Sequence, residues 1–300
     1  MNHDVVIVGG GPGGLSGALA LGRSRKRVLV CDSGPRRNAA AIQMHNFVTR
    51  DGTPPGDFRR IAREQLAGYP SVELRDAAVT SIHGERGAFV VSLANETVHA
   101  KRILLCTGMI DEMLPIDGFR ELWGHGIFQC PYCHGWEVRD RPWGYLARSE
   151  DEAHLLPFAL MIRGWTPDVT VFTNGPFDFA AETQEKLARA RVKLVEDPIA
   201  RLVARDGALA AVELATGRSV PCDALFAHPP QTQVPLVHEL NLALDEHGFV
   251  KADPMTRETS VPGVHAAGDL TTRMQAAIAA AASGMQAASM INASLSMELA

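Results

Sequence analysis

With 300 residues and 46% hydrophobic content, the chain has apolar material for one large core or two moderate ones, and two domains are expected. A net charge of −5, with no basic tract or basic aromatic stripe, gives no electrostatic reason to expect nucleic acid. No apolar run approaches the span of a bilayer and Met1 leads straight into a strand pattern without a basic leader, so no membrane association and a cytoplasmic location are expected.

Asp4 to Val8 is a short β-branched run leading into Gly9-Gly10-Gly11-Pro12-Gly13-Gly14, after which Leu15 to Leu21 reads as a helix. In a strand, glycine turn and helix of this kind, Gly9 permits the tight turn, Gly11 lets a pyrophosphate approach backbone N–H groups, and Gly14 lets helix pack on strand. The helix N-terminus then faces the phosphates. A second strand, Val28 to Val30, ends at Cys31-Asp32, which puts Asp32 where an acidic residue would accept ribose hydroxyls; the plainer alternative is a turn carboxylate.

Residues 33–57 are polar, contain glycine and proline, and are too long for a tight connection, which marks a functional loop. Its candidates to touch a cofactor are Arg36-Arg37-Asn38 and Met44-His45-Asn46-Phe47, with surface coverage as the alternative for either arginine. Asp57 to Leu66 has helical spacing, and strands are expected at Val72 to Leu74, Ala77 to Ile82, Phe89 to Leu93, Thr97 to Ala100 and Ile103 to Thr107. The last ends in Thr107-Gly108, where backbone can approach a bound dinucleotide closely.

Pro115, Gly118, Gly124 and Gly126 mark a crossing into a second domain. There Trp143 to Ala147, Asp151 to Ile162 and Val169 to Phe172 form a second strand, helix and strand. Its turn is wrong for a nucleotide. Arg148 and Glu150 stand where glycines are needed, and Glu150, Asp151 and Glu152 put like charge where a pyrophosphate must sit. A helix at Glu182 to Arg191 and strands at Val192 to Leu194, Ile199 to Val203, Leu209 to Leu214 and Ala224 to Phe226 carry no motif. Pro229-Pro230 marks the return to the first domain, Phe249 to Lys251 a short strand, and Gly263 to Asp269 leads to a helix from about Arg273 to Asn292. Asp269 can hydrogen-bond a cofactor ribityl chain or cap that helix. The alanine-rich residues 276–290, interrupted by Ser283, Gly284 and Gln286, fit a tightly packed buried helix better than a membrane span.

The reactive stretch is Cys130-Pro131-Tyr132-Cys133-His134-Gly135-Trp136. Two thiols three residues apart can close and reopen a disulfide, the proline stiffens the loop, and a neighbouring imidazole can exchange the proton that thiolate chemistry requires. The alternatives are half a zinc site and a static disulfide. A structural zinc needs four ligands, whereas Cys31, Cys106 and Cys222 stand alone in apolar runs and the adjacent Cys133 and His134 are poorly placed to share one ion, so no metal is expected. A static disulfide does not persist in the reducing compartment expected of a chain without a secretion signal.

In this order the motifs resemble the low-molecular-weight thioredoxin reductase family along nearly the whole chain. Gly9 to Gly14 resembles its FAD pyrophosphate loop, Leu105-Cys106-Thr107-Gly108 its short ATG-like motif, Cys130 to Cys133 its redox pair and Gly263 to Asp269 its C-terminal FAD motif. The resemblance implies an α/β protein of two Rossmann-like, three-layer ββα domains. The FAD domain, 1–112 and 246–300, is split around a central NADPH-domain-like domain, 113–245, that carries the cysteines, and a homodimer is implied. FAD contacts are implied for Gly9, Gly11, Pro12, Gly13, Gly14 and Asp32, for Arg37, Asn38, Asn46 and Val79, and for Thr107, Gly108, Gly268, Asp269, Gln275 and Ala276.

Cys130 to Glu137 is more similar to that superfamily's dithiol oxidases, such as those acting on gliotoxin and holomycin. His134 replaces the aspartate that thioredoxin reductases typically carry, and the NADPH glycine loop and its basic partner are missing. This likeness implies oxidation of a small-molecule, peptide or protein dithiol to a disulfide, with Cys130 as the outer thiol, Cys133 as the flavin-facing one, His134 as base and O2 as acceptor. A disulfide reductase fed by ferredoxin or another flavin reductant, and a flavin-binding redox sensor without turnover, are the readings it leaves open.

Overall fold

The computed structural model describes residues 2–148 and 152–299. The chain forms two compact units, one of Met1–Ala39, Asn46–Asp111 and Gln231–Ala300, the other of Ala40–His45 and Glu112–Pro230. Residues 231–245, placed in the central domain from sequence, cluster with the first unit. Gln231–Thr232 pairs antiparallel with Ile110–Asp111, and Leu236, Val237 and Leu242 join a core cluster of the first unit's sheet.

In the first unit the strands Val72–Arg75, Val28–Cys31, Asn2–Val8 and Thr97–Leu105 lie side by side and parallel. A parallel strand is covered on both faces, which is why Val5 to Val8 is apolar at every position. Val5 and Ile7 point to a cluster with the helices Pro12–Arg23 and Ala277–Met297, while Val6 and Val8 point to the opposite cluster with Phe89, Val91 and Phe249. Thr97–Leu105 is one strand where two were expected. Its first half pairs antiparallel with Phe89–Leu93 and its second half parallel with Val264–Ala266. The interruption read at Lys101-Arg102 does not occur because the guanidinium of Arg102, 1% exposed, is met by Glu298 and Ser294 of the C-terminal segment.

The final helix begins at Ala277 and runs to Met297, later at both ends than the spacing predicts, with Ala276 in an extended conformation as its N-cap. The strand expected at Phe249 to Lys251 is absent; Val250 and Ala252 make only isolated bridges. The final helix crosses Pro12–Arg23 at glycines. A Cβ on Gly284 would lie 2.0 Å from the Gly13 carbonyl oxygen, and one on Gly17 3.2 Å from the Gly284 oxygen. The alanine-rich run is therefore a close-packed face that buries Ala280, Ala281, Ala287, Ala288, Ile291 and Leu295.

The second unit has a parallel sheet in the order Lys193–Val195, Val169–Phe172, Trp143–Leu146, Ala224–Ala227, Ile127–Phe128. The helices Glu152–Ile162 and Ala181–Arg189 and a three-stranded antiparallel sheet, Ile199–Arg205, Ala208–Leu214 and Ser219–Pro221, complete it. Two-residue strands such as Ile127–Phe128 are too short to show a period in sequence. No described helix is long and apolar enough to cross a membrane.

Candidate active site and cofactor cradle

The glycines of the first turn do different work. Gly9 has φ +109°, and a Cβ on it would lie 2.2 Å from the Cys106 carbonyl oxygen. A Cβ on Gly14 would lie 1.9 Å from the Gly9 oxygen, so helix and strand close on each other only without a side chain there. Gly11 is the helix N-cap with φ −79° and ψ −176°, makes no side-chain cap, and its Cβ would meet nothing within 4 Å. Pro12 takes the first helical position, where its missing N–H costs nothing, and Gly13 packs against Ala280.

Gly108 likewise opens on free space at φ +69°, and Thr107 Oγ1 is buried with no hydrogen-bond partner. A buried hydroxyl without a partner is unfavourable. An open cradle, an unpartnered hydroxyl and a helix N-terminus together fit a dinucleotide phosphate. Asp32, 8% exposed at the end of its strand, accepts a hydrogen bond from the Gly34 N–H and pairs with Arg59.

In the same unit, Arg37 joins residues far apart in sequence. Its Nε and Nη2 each donate to Asp111 at 2.7 Å, and its Nη1 donates to Asp269 at 2.9 Å and to Gln275 at 2.6 Å. Gln231 donates to Asp111 and Gln275, and Gln275 donates back to Gln231 at 2.8 Å. Burial works against the Arg37 charge, but Asp111 and then Asp269 outweigh it and hold its pKa above the ordinary value. Burial pushes the Asp269 carboxyl up, with Arg37 opposing. Asp111 and Gln231 escaped the sequence reading because neither sits in a motif.

Gly268, at φ +91° and ψ −157°, donates its N–H to Ser283 and sets Asp269 at the start of a 3-10 turn. Asn38 and Asn46 are exposed; Asn46 has φ +62° and its N–H donates to Asp51. Val79 is half-buried against the sheet core.

In the second unit Cys130 and Cys133 form a disulfide with Cα atoms 5.3 Å apart. Pro131–His134 is a single helical turn capped by Cys130, and Gly135 closes it by donating to the Pro131 oxygen at 2.7 Å. A Cβ on Gly135 would meet that oxygen at 2.5 Å, so the glycine is required by the turn. The His134 ring stacks on Phe128 at 4.6 Å, and burial lowers its pKa. Tyr132, between the two cysteines, and Trp136, three residues beyond the second, are 60% and 66% exposed, with Arg139 stacked 3.9 Å over Trp136.

His45, expected near the cofactor, belongs to this unit and lies 3.5 Å from Glu137. No cluster able to hold a metal ion occurs among the described residues. Burial pushes the Cys31 thiol up to about 11 and those of Cys106 and Cys222 up to about 12, which keeps them protonated and inert near neutrality.

Arg148 Nη1 donates to the His228 oxygen at 3.2 Å; Glu150 and Asp151 lie outside the described residues. The carboxyl ends of Trp143–Leu146 and Ala224–Ala227 are where a doubly wound sheet binds its nucleotide. Rings pack there: Phe158 is 4.6 Å from Tyr145 and 4.8 Å from His228, and His154 is 5.6 Å from His228.

A Rossmann-like unit with a dinucleotide cradle, and a second that carries an exchangeable disulfide, define a flavin-type disulfide oxidoreductase. Residues 3–155 and 169–284 match the model of the pyridine nucleotide-disulphide oxidoreductase family, and the chain belongs to that family. It is an FAD-dependent oxidoreductase with dithiol/disulfide chemistry, and its fold is the two-domain thioredoxin reductase type. It is 33% identical over 300 residues to a protein named thioredoxin reductase aclD of Aspergillus oryzae, covering 95% of this chain and 94% of that one. A probable thioredoxin reductase of Arthroderma benhamiae is 37% identical over 180 residues, 58% of this chain and 44% of that protein's length. The crystal structure of HlmI superposes with a TM-score of 0.91 at 34% identity, covering 99% of this chain and 93% of that one.

Proposed function

We propose that the protein oxidises a small-molecule or peptide dithiol to a disulfide in the cytoplasm, with O2 as the final electron acceptor. The observation that carries the reading is the second unit's nucleotide crevice, which lacks the glycine turn and is packed with Tyr145, Phe158 and His228. A crevice without the glycine turn disfavours the usual nicotinamide donor, so electrons enter as substrate thiols. Exposed Tyr132 and Trp136 beside the cysteines favour a substrate with apolar or ring surface.

FAD would be held by Gly9, Gly11, Pro12, Gly13 and Gly14 at its phosphates, Asp32 at a ribose, and Thr107, Gly108, Gly268, Asp269, Gln275 and Ala276 along the rest of the molecule. When bound, it supplies a two-electron acceptor that oxygen can reoxidise. The chain's own chemistry starts when a substrate thiolate attacks Cys130 Sγ: a mixed disulfide forms, the Cys130–Cys133 bond breaks, and Cys133 leaves with the electron pair. The second substrate thiol attacks the substrate sulfur of the mixed disulfide and releases Cys130, closing the product. His134, kept neutral by burial, is a proton partner of the cysteine pair.

A homodimer belongs to the reading and is supported by exposed Ile278 and Met285, seven residues apart on one face of the final helix. Anaerobic stopped-flow mixing tests the proposal: a small dithiol bleaches the flavin and oxygen restores it, while NADPH and NADH leave it yellow. Bleaching within milliseconds at micromolar nicotinamide refutes it.

A further inference from the structure

His134 alone makes an incomplete acid–base system. Both its ring nitrogens are buried, and burial lowers its pKa against the opposing Glu137 and Cys130 backbone, so it takes up one proton at a time. Closing a dithiol removes two thiol protons, and each sulfur must become a thiolate before it attacks. A second imidazole, that of His45, acts electrostatically on His134.

The segment Ala40–His45 leaves the first unit's sequence to pack in the second, and it delivers His45 Nε2 to 3.5 Å from Glu137 Oε1. Glu137 lies four residues beyond Cys133, and both Glu137 and His45 act electrostatically on His134. The Glu137 side chain is 40% exposed and that of His45 15%, so the pair bridges the interior and solvent. A carboxylate at Nε2 holds the proton on that nitrogen and leaves Nδ1 as the basic one.

We propose that His45 is the proton acceptor for the entering substrate thiol and that Glu137 is its positioning residue. The assignment rests on the dithiol-oxidase reading above. The thiol proton moves to His45 Nδ1, the substrate sulfur bonds to Cys130 Sγ, and the Cys130–Cys133 bond breaks. Its electron pair stays on Cys133 Sγ, next in sequence to His134. The enzyme disulfide is the oxidant, so this step consumes no other. In the second exchange the second substrate thiol gives its proton to the neutral His134 and attacks, and His45 returns its own proton to Cys130 Sγ as that sulfur leaves.

The test is anaerobic flavin bleaching by dithiothreitol and by toluene-3,4-dithiol from pH 6 to 9 in wild type, His45→Gln, Glu137→Gln and Glu137→Asp, with flavin content and thermal midpoint recorded. At neutral pH His45→Gln should slow dithiothreitol about a hundredfold, the ordinary worth of a general base. The deficit should shrink as pH nears the thiol's own pKa, and should be small for the more acidic aromatic dithiol. Glu137→Gln should give a smaller loss of the same pH shape, recovered in part by Glu137→Asp; being exposed, it reports even where His45→Gln folds poorly. Deficits equal at every pH and for both dithiols, or wild-type rates in both variants, overturn the assignment. A wild-type flavin that neither dithiol bleaches overturns the oxidase reading itself, an outcome distinct from both.

Discussion

Gly11→Ala and Gly14→Ala add the same methyl to one turn and should fail in opposite ways. At position 14 the methyl would stand 1.9 Å from the Gly9 oxygen, and Gly9 cannot retreat because its own Cβ position is 2.2 Å from the Cys106 oxygen. Backbone must move, so the cost falls at the upper end of the overpacking range, about 3 kcal/mol. For a protein of this size that lowers the melting temperature by roughly 5–10 °C. At position 11 the methyl meets nothing and the backbone is extended, so only the poorer N-cap counts, up to about 1 kcal/mol. On the proposed function, the open space there is the approach for phosphate. Added FAD at a hundredfold excess over its dissociation constant should stabilise wild type by about 2.7 kcal/mol, and Gly11→Ala should lose most of that gain. Calorimetry of the apoproteins with and without FAD decides. Gly11→Ala melting as early as Gly14→Ala without cofactor, or showing the full gain with it, refutes the division of roles.

Arg37→Ala should cost about 3 kcal/mol, the low end for breaking a buried ion pair, and weaken FAD retention, and Arg37→Lys should not restore it because the bidentate contact with Asp111 is lost; equilibrium denaturation and flavin titration measure both. His3, His134 and His265 are held below the ordinary imidazole pKa chiefly by burial. Each therefore contributes stability that is present above 6.5 and is lost as pH falls through the lowered folded values, so denaturant midpoints should fall on acidification below 6.5, less steeply in His265→Gln. Midpoints that rise over that interval would contradict the assignment. Cys130→Ser and Cys133→Ser should each end dithiol-driven bleaching with flavin content intact; bleaching at the wild-type rate in either removes the redox centre from this turn.

What sequence makes legible is what short-range geometry demands. Gly9 and Gly14 could be assigned because a positive φ and a close backbone approach exclude every other residue, and the Cys130–Cys133 pair because a disulfide across two residues needs only near neighbours. Asp111 and Gln231 carry no such mark: they meet Arg37 and Gln275 only after strands distant in sequence are paired. The tetrapeptide Met44 to Phe47 looked like one cofactor contact, yet its chain passes from one unit to the other between His45 and Asn46, so His45 serves the cysteines' unit. Thr97–Leu105 was split in sequence at two charges because the neutralising Glu298 lies nearly two hundred residues away.

The place of Val264–Ala266 beside Ile103–Leu105 imposes an order on biosynthesis. All of the second unit, Ala40–His45 and Glu112–Pro230, leaves the ribosome before the first unit has its last strand and its final helix. At roughly 5–20 residues per second, the remaining seventy residues take several seconds more. During that interval the Ile103–Leu105 edge waits for its partner strand and Asp269 and Gln275 do not yet exist, so the cysteine-bearing stretch is complete while cofactor loading must follow. The nascent protein thus carries both cysteines before it has a complete site for their electron acceptor, which ties the appearance of activity to completion of the final strand and helix.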